Sequence, residues 1–259
     1  MALLAAIVAC SDSDAAAGTN GGGLFGRRGG APPVIEAPKA AYREAVVAGA
    51  GRLRGVVKLS GERPRDSTVT PTSHQDVCGR TLVQPTVEGM ADRLEGAVVW
   101  LADARTGKRV PLARRFELLN VRCQLTPRVQ GVLVGGTLNV RSDDAAPHHN
   151  RLVRQRTGET IARLSETDEG TVVPVDRALT EVGVIEVRCD DHPWTHAWIA
   201  VFDHPYYAVT GADGRFAMDS VPPGTYRLVT WHPRLGRTEQ SVTVGGGPEE
   251  TVEVTLKAE

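Results

Sequence analysis

The sequence predicts an all-β fold, and three observations lead to that prediction. Valine, threonine and glycine are plentiful, while aromatic residues make up only 5% of the 259-residue chain. The 28 glycines and 16 prolines are spread between short apolar runs, as turn residues are in proteins built from many short strands. Several runs alternate apolar and polar residues, which is the period of a half-buried strand. The net charge of −1 predicts no broad electrostatic surface for nucleic acid.

The same patterns place the individual strands. Residues 53–59 form the first clear β-patterned run. In residues 183–189, Ile185 and Val187 share one face with Cys189, which directs that thiol towards the core. A buried strand is predicted directly afterwards, at residues 197–202.

The loop between these last two strands carries the main functional motif, Cys189-Asp190-Asp191-His192-Pro193. A thiolate and an imidazole three residues apart at a strand end provide two of the three ligands of a His₂Cys copper centre. The third would be a histidine from a neighbouring strand, and Pro147-His148-His149-Asn150 supplies two candidates. Neighbouring strand residues face opposite ways, so alternation does not choose between them. Adjacency to Asn150 favours His149, and His148 remains the alternative.

This pair of motifs resembles the cupredoxins, the blue-copper electron carriers such as amicyanin and plastocyanin. In those proteins a His-Asn pair precedes a strand that ends in Cys-x-x-His-Pro, and residues 115–204 carry the same pattern. The resemblance implies a Greek-key β-sandwich that binds one copper ion through His149, Cys189 and His192. It also implies that Asn150 and Pro193 support the ligands from outside.

One position departs from the cupredoxin pattern. Amicyanin-like loops place an axial methionine six residues after the cysteine, where this chain has Thr195. Thr195, His196 or His148 is then an axial or alternative ligand, or a water fills that position. Two functions follow: a copper protein that carries electrons or holds copper, or a scaffold that binds carbohydrate or protein and has a degenerate metal site. We expect no enzymatic activity, since the Gly-x-Ser-x-Gly motif of hydrolases is absent.

The C-terminal part resembles carboxypeptidase regulatory-like domains, which are small transthyretin-like β-sandwiches without catalytic activity. The resemblance lies in Thr210-x-x-Asp213-Gly214-Arg215-Phe216 and in Pro223-Gly224-Thr225-Tyr226. This tail supplies about half of such a sandwich. Residues 53–59 and 96–101 match the opening strands of the family.

The domain organisation follows from these two resemblances. We predict a discontinuous regulatory-like sandwich, residues 48–112 and 205–259, interrupted by a cupredoxin-like domain at residues 113–204. Two consecutive domains are the alternative. The combination of these two domains resembles that of a group of bacterial envelope proteins. Those proteins are similar to methylamine-utilisation accessory proteins.

The first residues resemble a bacterial lipoprotein signal. Residues 1–10 are apolar and end in the lipobox Ile7-Val8-Ala9-Cys10, so we expect Cys10 to carry lipid; an ordinary secretory signal is the alternative. Residues 11–47 are predicted to be a disordered tether. The expected location is the periplasm or cell envelope, with a lipid anchor in the membrane, and Ser11 favours the outer membrane. A redox protein or an envelope complex would be the partner.

The remaining cysteines predict a disulfide. With Cys10 assigned to lipid and Cys189 to metal, Cys78 and Cys123 are left, and they can pair in an oxidising compartment. The alternative is two separate buried thiols.

Overall fold

The computed structural model describes residues 35–112, 114–175, 178–245, 247 and 249–258. Within these ranges the chain forms twenty strands and one four-residue helix, α1 (Gln75–Cys78). The predicted all-β fold class is therefore confirmed. The described part of the chain has no helix long and apolar enough to cross a membrane.

The strands follow one another along the whole described chain. They are β1 (Arg43–Glu44), β2 (Gly51–Ser60), β3 (Ser67–Val69), β4 (Leu82–Gln84), β5 (Val98–Leu101), β6 (Thr106–Gly107), β7 (Arg115–Val121), β8 (Gln124–Thr126), β9 (Val129–Leu133), β10 (Thr137–Ser142), β11 (Asn150–Arg154), β12 (Thr160–Arg163), β13 (Val172–Val175), β14 (Gly183–Cys189), β15 (His196–Phe202), β16 (Tyr207–Val209), β17 (Arg215–Val221), β18 (Gly224–His232), β19 (Gly236–Val244) and β20 (Glu250–Lys257).

Four of the sheets have three or more strands. Sheet I has the order β13-β10-β7-β8, and sheet II has the order β12-β11-β14-β15-β9. Sheet III has the order β16-β5-β18-β19, and sheet IV has the order β17-β2-β20. Sheets I and II therefore use only strands between residues 115 and 202. Sheets III and IV combine strands from both sides of that segment.

The four sheets stack in the order I, II, III, IV, with an apolar layer between each neighbouring pair. Layers of this kind are what one-sided β-sheets need in order to bury their apolar faces. The layer between sheets I and II includes Leu118, Leu138, Leu152, Ile185 and Ile199. The layer between sheets II and III includes Val98, Trp100, Leu133, Phe202 and Trp231. The layer between sheets III and IV includes Leu53, Val57, Leu101, Leu228 and Leu256.

Sheet II is consequently buried on both of its faces. In β15, Ile199 and Val201 point into the layer towards sheet I, while Ala200 and Phe202 point into the layer towards sheet III. A strand that is covered on both sides reads as a continuous apolar run. This explains why residues 197–202 contain so few polar side chains.

The chain is already packed before β2, which corrects part of the predicted tether. Ile35 is buried in the layer between sheets II and III, and β1 pairs with β6. The Tyr42 hydroxyl donates a hydrogen bond to the carbonyl of Lys108 at 2.7 Å. Burial of a few apolar side chains such as Ile35 is enough to fix this segment, although most of its residues are polar or small. The predicted signal, the lipidated Cys10 and the tether up to residue 34 lie outside the described residues.

The loop between β2 and β5 reaches across to the sandwich of sheets I and II. It contains the β3–β4 pair and helix α1, and the chain returns to sheet III only at β5. Cys78 and Leu82 of this loop pack against Cys123 and Trp194 in a small separate apolar cluster. The loop thus covers one end of the sandwich, next to the turn that follows β14.

Candidate metal centre

The β14–β15 connection is a tight turn that carries Cys189 and His192. Cys189 is the last residue of β14, and the amide of Thr195 donates a hydrogen bond to the His192 carbonyl at 3.0 Å. Cys189 is 2% exposed and His192 is fully buried. Pro193, by contrast, is exposed. The turn therefore directs both donor side chains inward and leaves the proline that stiffens it on the surface.

The strand register brings His148 to the same place. In the antiparallel β11–β14 pair, Asn150 lies directly opposite Cys189, so both side chains are on the same face of sheet II. His148 lies two residues before Asn150 and shares that face. A bridge to Glu166 continues the ladder at His148, with hydrogen bonds of 2.8 and 2.9 Å between the two backbones.

The three side chains converge at close range. Cys189 Sγ lies 3.6 Å from His148 Nδ1 and 3.5 Å from His192 Nδ1. The two Nδ1 atoms are 3.1 Å apart, and all three residues are buried. Together they form one of the His/Cys groups in the described residues whose ligand atoms are near enough to hold a metal ion.

These distances fit a bound metal ion. Metal–sulfur bonds of about 2.3 Å and metal–nitrogen bonds of about 2.0–2.1 Å place such donors roughly 3.3–3.8 Å apart at tetrahedral to trigonal angles. The observed separations lie within a few tenths of an ångström of that range. One thiolate and two imidazoles form the His₂Cys donor set that is typical of copper centres.

His149, which the sequence favoured as the third ligand, does not join this group, so that prediction is corrected to His148. The His149 side chain is 50% exposed, and its Nδ1 lies 2.8 Å from Asp191 Oδ2. The Asp191 carboxylate also accepts the His149 amide at 2.7 Å. Strand alternation explains the choice. If Asn150 points inward, the histidine on the same face of the strand is the one two residues away, His148, and not the adjacent His149.

Burial controls the protonation of the donors. Burial, followed by the charge of Asp191, raises the pKa of the Cys189 thiol to about 11, although hydrogen bonds from the backbone of His192, Asp191 and His149 oppose the shift. Burial, followed by His148, lowers the pKa of His192 to about 4. At neutral pH the imidazole of His192 is already unprotonated, while the thiol must lose its proton when a metal binds.

A buried carboxylate orients His148 from behind. Asp144 Oδ2 lies 3.0 Å from His148 Nε2, and the Asp144 carboxylate also accepts the amides of Arg122 and Cys123 at 2.6 and 2.7 Å. Burial alone would raise the pKa of Asp144, but the hydrogen bonds from His148 and from the two amides hold it below its usual value. A carboxylate on the outer nitrogen fixes the tautomer that leaves Nδ1 free for metal.

Asn150 lies next to the ligands in a buried polar network. Its amide nitrogen donates to Asn120 Oδ1 at 3.1 Å and to Glu166 Oε2 at 2.8 Å. Burial raises the pKa of Glu166. Asn150 therefore ties the start of β11, two residues after His148, to β7 and to Glu166, which is a supporting role rather than a ligand's role.

Of the three residues predicted as axial or alternative ligands, His148 joins the donor group, while Thr195 and His196 do not. The Thr195 hydroxyl accepts the Leu125 amide at 2.7 Å. His196 Nδ1 lies 2.9 Å from Glu186 Oε1, and the His196 ring stacks on Trp198. Both residues serve contacts with neighbouring strands.

A disulfide, which joins Cys78 and Cys123, covers the outer side of His192. Cys78 Sγ lies 3.6 Å from His192 Nε2, and the Trp194 ring packs edge-on against the His192 ring with centroids 5.1 Å apart. The Trp194 indole nitrogen donates to the Cys123 carbonyl at 3.1 Å. Nothing local in the sequence indicates that the loop carrying His74 and Cys78 folds onto the turn between Cys189 and His192.

Comparison with known proteins gives one family match and several similar solved structures. The profile of the carboxypeptidase regulatory-like domain family matches residues 183–257. The match begins in β14 and β15, which belong to sheet II, and continues through the strands of sheets III and IV. The matched stretch thus includes the turn that carries Cys189 and His192.

Two solved structures similar to this chain are cupredoxins. A purple cupredoxin from Nitrosopumilus maritimus is 20% identical; the match covers 34% of this chain and 99% of that protein, with a TM-score of 0.29. Amicyanin from Paracoccus versutus is 14% identical; the match covers 36% of this chain and 85% of amicyanin, also with a TM-score of 0.29. No curated protein matches the chain.

Proposed function

We propose that this protein is a copper-binding protein with one copper site, formed by His148, Cys189 and His192. One observation carries the proposal: the three donor atoms lie 3.1–3.6 Å from one another in a buried group. That donor set is the His₂Cys set preferred by copper centres that exchange electrons.

Each part of the site has a task in this function. Asp144 holds the His148 ring with Nδ1 turned inward. The short turn from Cys189 to His192 keeps the thiol and the second imidazole at a fixed spacing. The disulfide and Trp194 cover His192 and keep water away from it. Copper, when bound, supplies one-electron redox chemistry.

We propose electron transfer or copper holding as the role, and not catalysis. The three ligands are at most 2% exposed. Such burial suits a centre that exchanges electrons through surrounding protein better than one that admits a substrate. A redox protein or an envelope complex would then be the partner.

The proposed location is the periplasm or cell envelope, with a lipid on Cys10 as the anchor. The Cys78–Cys123 disulfide supports an oxidising compartment, because structural disulfides persist there. The lipobox before Cys10 supports export and anchoring. Labelled palmitate fed to cells that express the wild-type chain or Cys10→Ser would test the anchor, since only the wild-type chain should take up label.

Copper titration tests the function directly. We expect the full-length chain to take up one Cu(II) and to develop an intense thiolate-to-copper absorption band, and we expect Cys189→Ser to lose that band. Circular dichroism should show an unchanged β-sheet signal in the variant. A band that persists in Cys189→Ser would mean that another thiol binds the metal. If the folded wild-type chain takes up no copper, the copper-binding function is wrong and the scaffold function remains.

A further inference from the structure

His192 has a cysteine sulfur on each side of its ring. Its Nδ1 faces Cys189 at 3.5 Å, while its Nε2 faces Cys78 at 3.6 Å. The copper site described above uses only the first of these nitrogens. The second points into a separate group of potential ligands.

This second group has a compact geometry. The sulfurs of Cys78 and Cys123 and the Nε2 of His192 all lie within 4.8 Å of one another, and all three residues are buried. The described structure contains the two sulfurs as a disulfide, and a disulfide sulfur has no thiolate charge with which to bind a metal.

A further imidazole stands beside this group. His74 lies four residues before Cys78, and its carbonyl accepts the Cys78 amide at 2.7 Å in a single helical turn. The rings of His74 and His192 have centroids 6.4 Å apart. His74 is exposed, so its ring has room to turn towards the sulfurs.

Reduction would convert these residues into ligands. Thiol–disulfide exchange with an external dithiol leaves Cys78 and Cys123 as two thiols and the external pair as a disulfide, so atoms and electrons balance. A metal ion that then binds both sulfurs displaces their two protons. The exchange needs local opening of the loop, because Cys78 is only 2% exposed and Cys123 is fully buried.

We infer that the dithiol form of this protein has a second metal site, formed by Cys78, Cys123, His192 and His74, for an ion of the Zn(II) class. Two thiolates and two imidazoles are the Cys₂His₂ set of tetrahedral zinc sites. The redox state of one disulfide would thus decide whether the loop is closed by a sulfur–sulfur bond or by a metal. The inference does not depend on copper binding, since His148 and Cys189 take no part in this second site.

Cobalt(II), a spectroscopic substitute for Zn(II), provides the test. The full-length chain is prepared as Cys10→Ser/Cys189→Ser, so that Cys78 and Cys123 are its only cysteines. One sample stays oxidised; the other is reduced with dithiothreitol, which is then removed under anaerobic conditions. We expect no thiolate-to-cobalt absorption from the oxidised sample. The reduced sample should bind one Co(II) with such absorption, and added Zn(II) should abolish it.

Two controls identify the ligands. Adding Cys78→Ser and Cys123→Ser to the same chain should remove the absorption, and His74→Ala should weaken Co(II) binding and shift the band. In the reduced wild-type chain, Zn(II) should protect Cys78 and Cys123 from alkylation, as read by mass spectrometry. Reduced thiols that give no cobalt band and no protection overturn the inference. So does a reduced chain that loses its β-sheet signal and fails to recover it with Co(II).

Discussion

The buried histidines of this protein make two different kinds of contact through Nδ1, and the kind depends on where they lie. Outside the sandwich of sheets I and II, His204 Nδ1 accepts the amide of Tyr206, and His232 Nδ1 accepts the amide of Arg234, in each case two residues further on. In the sandwich of sheets I and II, the Nδ1 atoms of His148 and His192 face each other and Cys189. A histidine that satisfies its own turn is structural. Histidines whose Nδ1 atoms face a common point form a candidate binding site.

The largest expected effect separates two neighbouring histidines. His148→Ala removes a donor that lies 3.6 Å from Cys189 Sγ, so the copper absorption band should be lost. His149→Ala changes an exposed side chain paired with Asp191, and the band should remain. His232→Ala, in the other sandwich, should also keep it. Copper titration of the three variants checks this, and loss of the band in His149→Ala alone would restore His149 as the ligand.

Core truncations test whether the two sandwiches are one folding unit. Leu152→Ala in the layer between sheets I and II and Leu53→Ala in the layer between sheets III and IV should each destabilise by about 2–5 kcal/mol. Because sheets II and III also share an apolar layer, we expect a single unfolding transition in both variants. Urea denaturation followed by fluorescence and circular dichroism measures this. Two separate transitions would mean that the shared layer does not couple the sandwiches.

The carboxylate behind His148 should have a smaller effect. Asp144→Asn weakens the contact that fixes the His148 ring, and loss of such a supporting contact typically lowers metal affinity about 10–100-fold. The neighbouring Asp143 is exposed and pairs with Arg141, so Asp143→Asn is the matched control and should bind copper like the wild type. Competition with a copper chelator measures both affinities. Equal affinity in the two variants would remove Asp144 from the site.

The structural histidines predict a pH dependence of stability. Burial, and then nearby arginines, lower the pKa values of His204 and His232 to about 3. Between the ordinary pKa of about 6.5 and this value, the unfolded chain binds protons that the folded chain does not, so stability is lost as the pH falls through this window. Each histidine contributes a slope of up to about 1.4 kcal/mol per pH unit.

The variant His232→Asn separates this contribution from that of the carboxylates. Asparagine can still accept the amide two residues on but does not titrate. Urea unfolding between pH 4 and 7 should therefore show a shallower slope for the variant than for the wild type. Identical slopes would show that His232 is protonated equally in the folded and unfolded states.

Local patterns predicted the fold class and several buried faces. Ile185, Val187 and Cys189 do point into one sandwich, because alternation in a strand depends only on the backbone. The choice between His148 and His149 depended on the pairing of Asn150 with Cys189, which is a contact across 39 residues of chain. The local sequence does not reveal which residues of two strands pair with each other. Adjacency to Asn150 was therefore the wrong criterion for choosing the histidine ligand.

The residues that cover the candidate metal centre could not be predicted from local sequence either. Helix α1 reaches His192 only through a packing cluster that joins residues 78, 123 and 194. Thr195 illustrates the same limit. Its position in the loop suggested an axial ligand, while its hydroxyl is used by Leu125 on another strand. Residues that depend on distant partners need the tertiary structure.

The pairing of β2 with β20 has a mechanical consequence. The two strands run parallel in register from Leu53 opposite Glu250 to Ser60 opposite Lys257. A pull applied at the start of β2 and at the end of β20 would act along these strands in opposite directions. The load would fall on all of their hydrogen bonds in shear rather than opening them one after another. Sheet IV would thus resist the pull, and the candidate metal centre, whose residues lie between β2 and β20 in the sequence, would be shielded from tension.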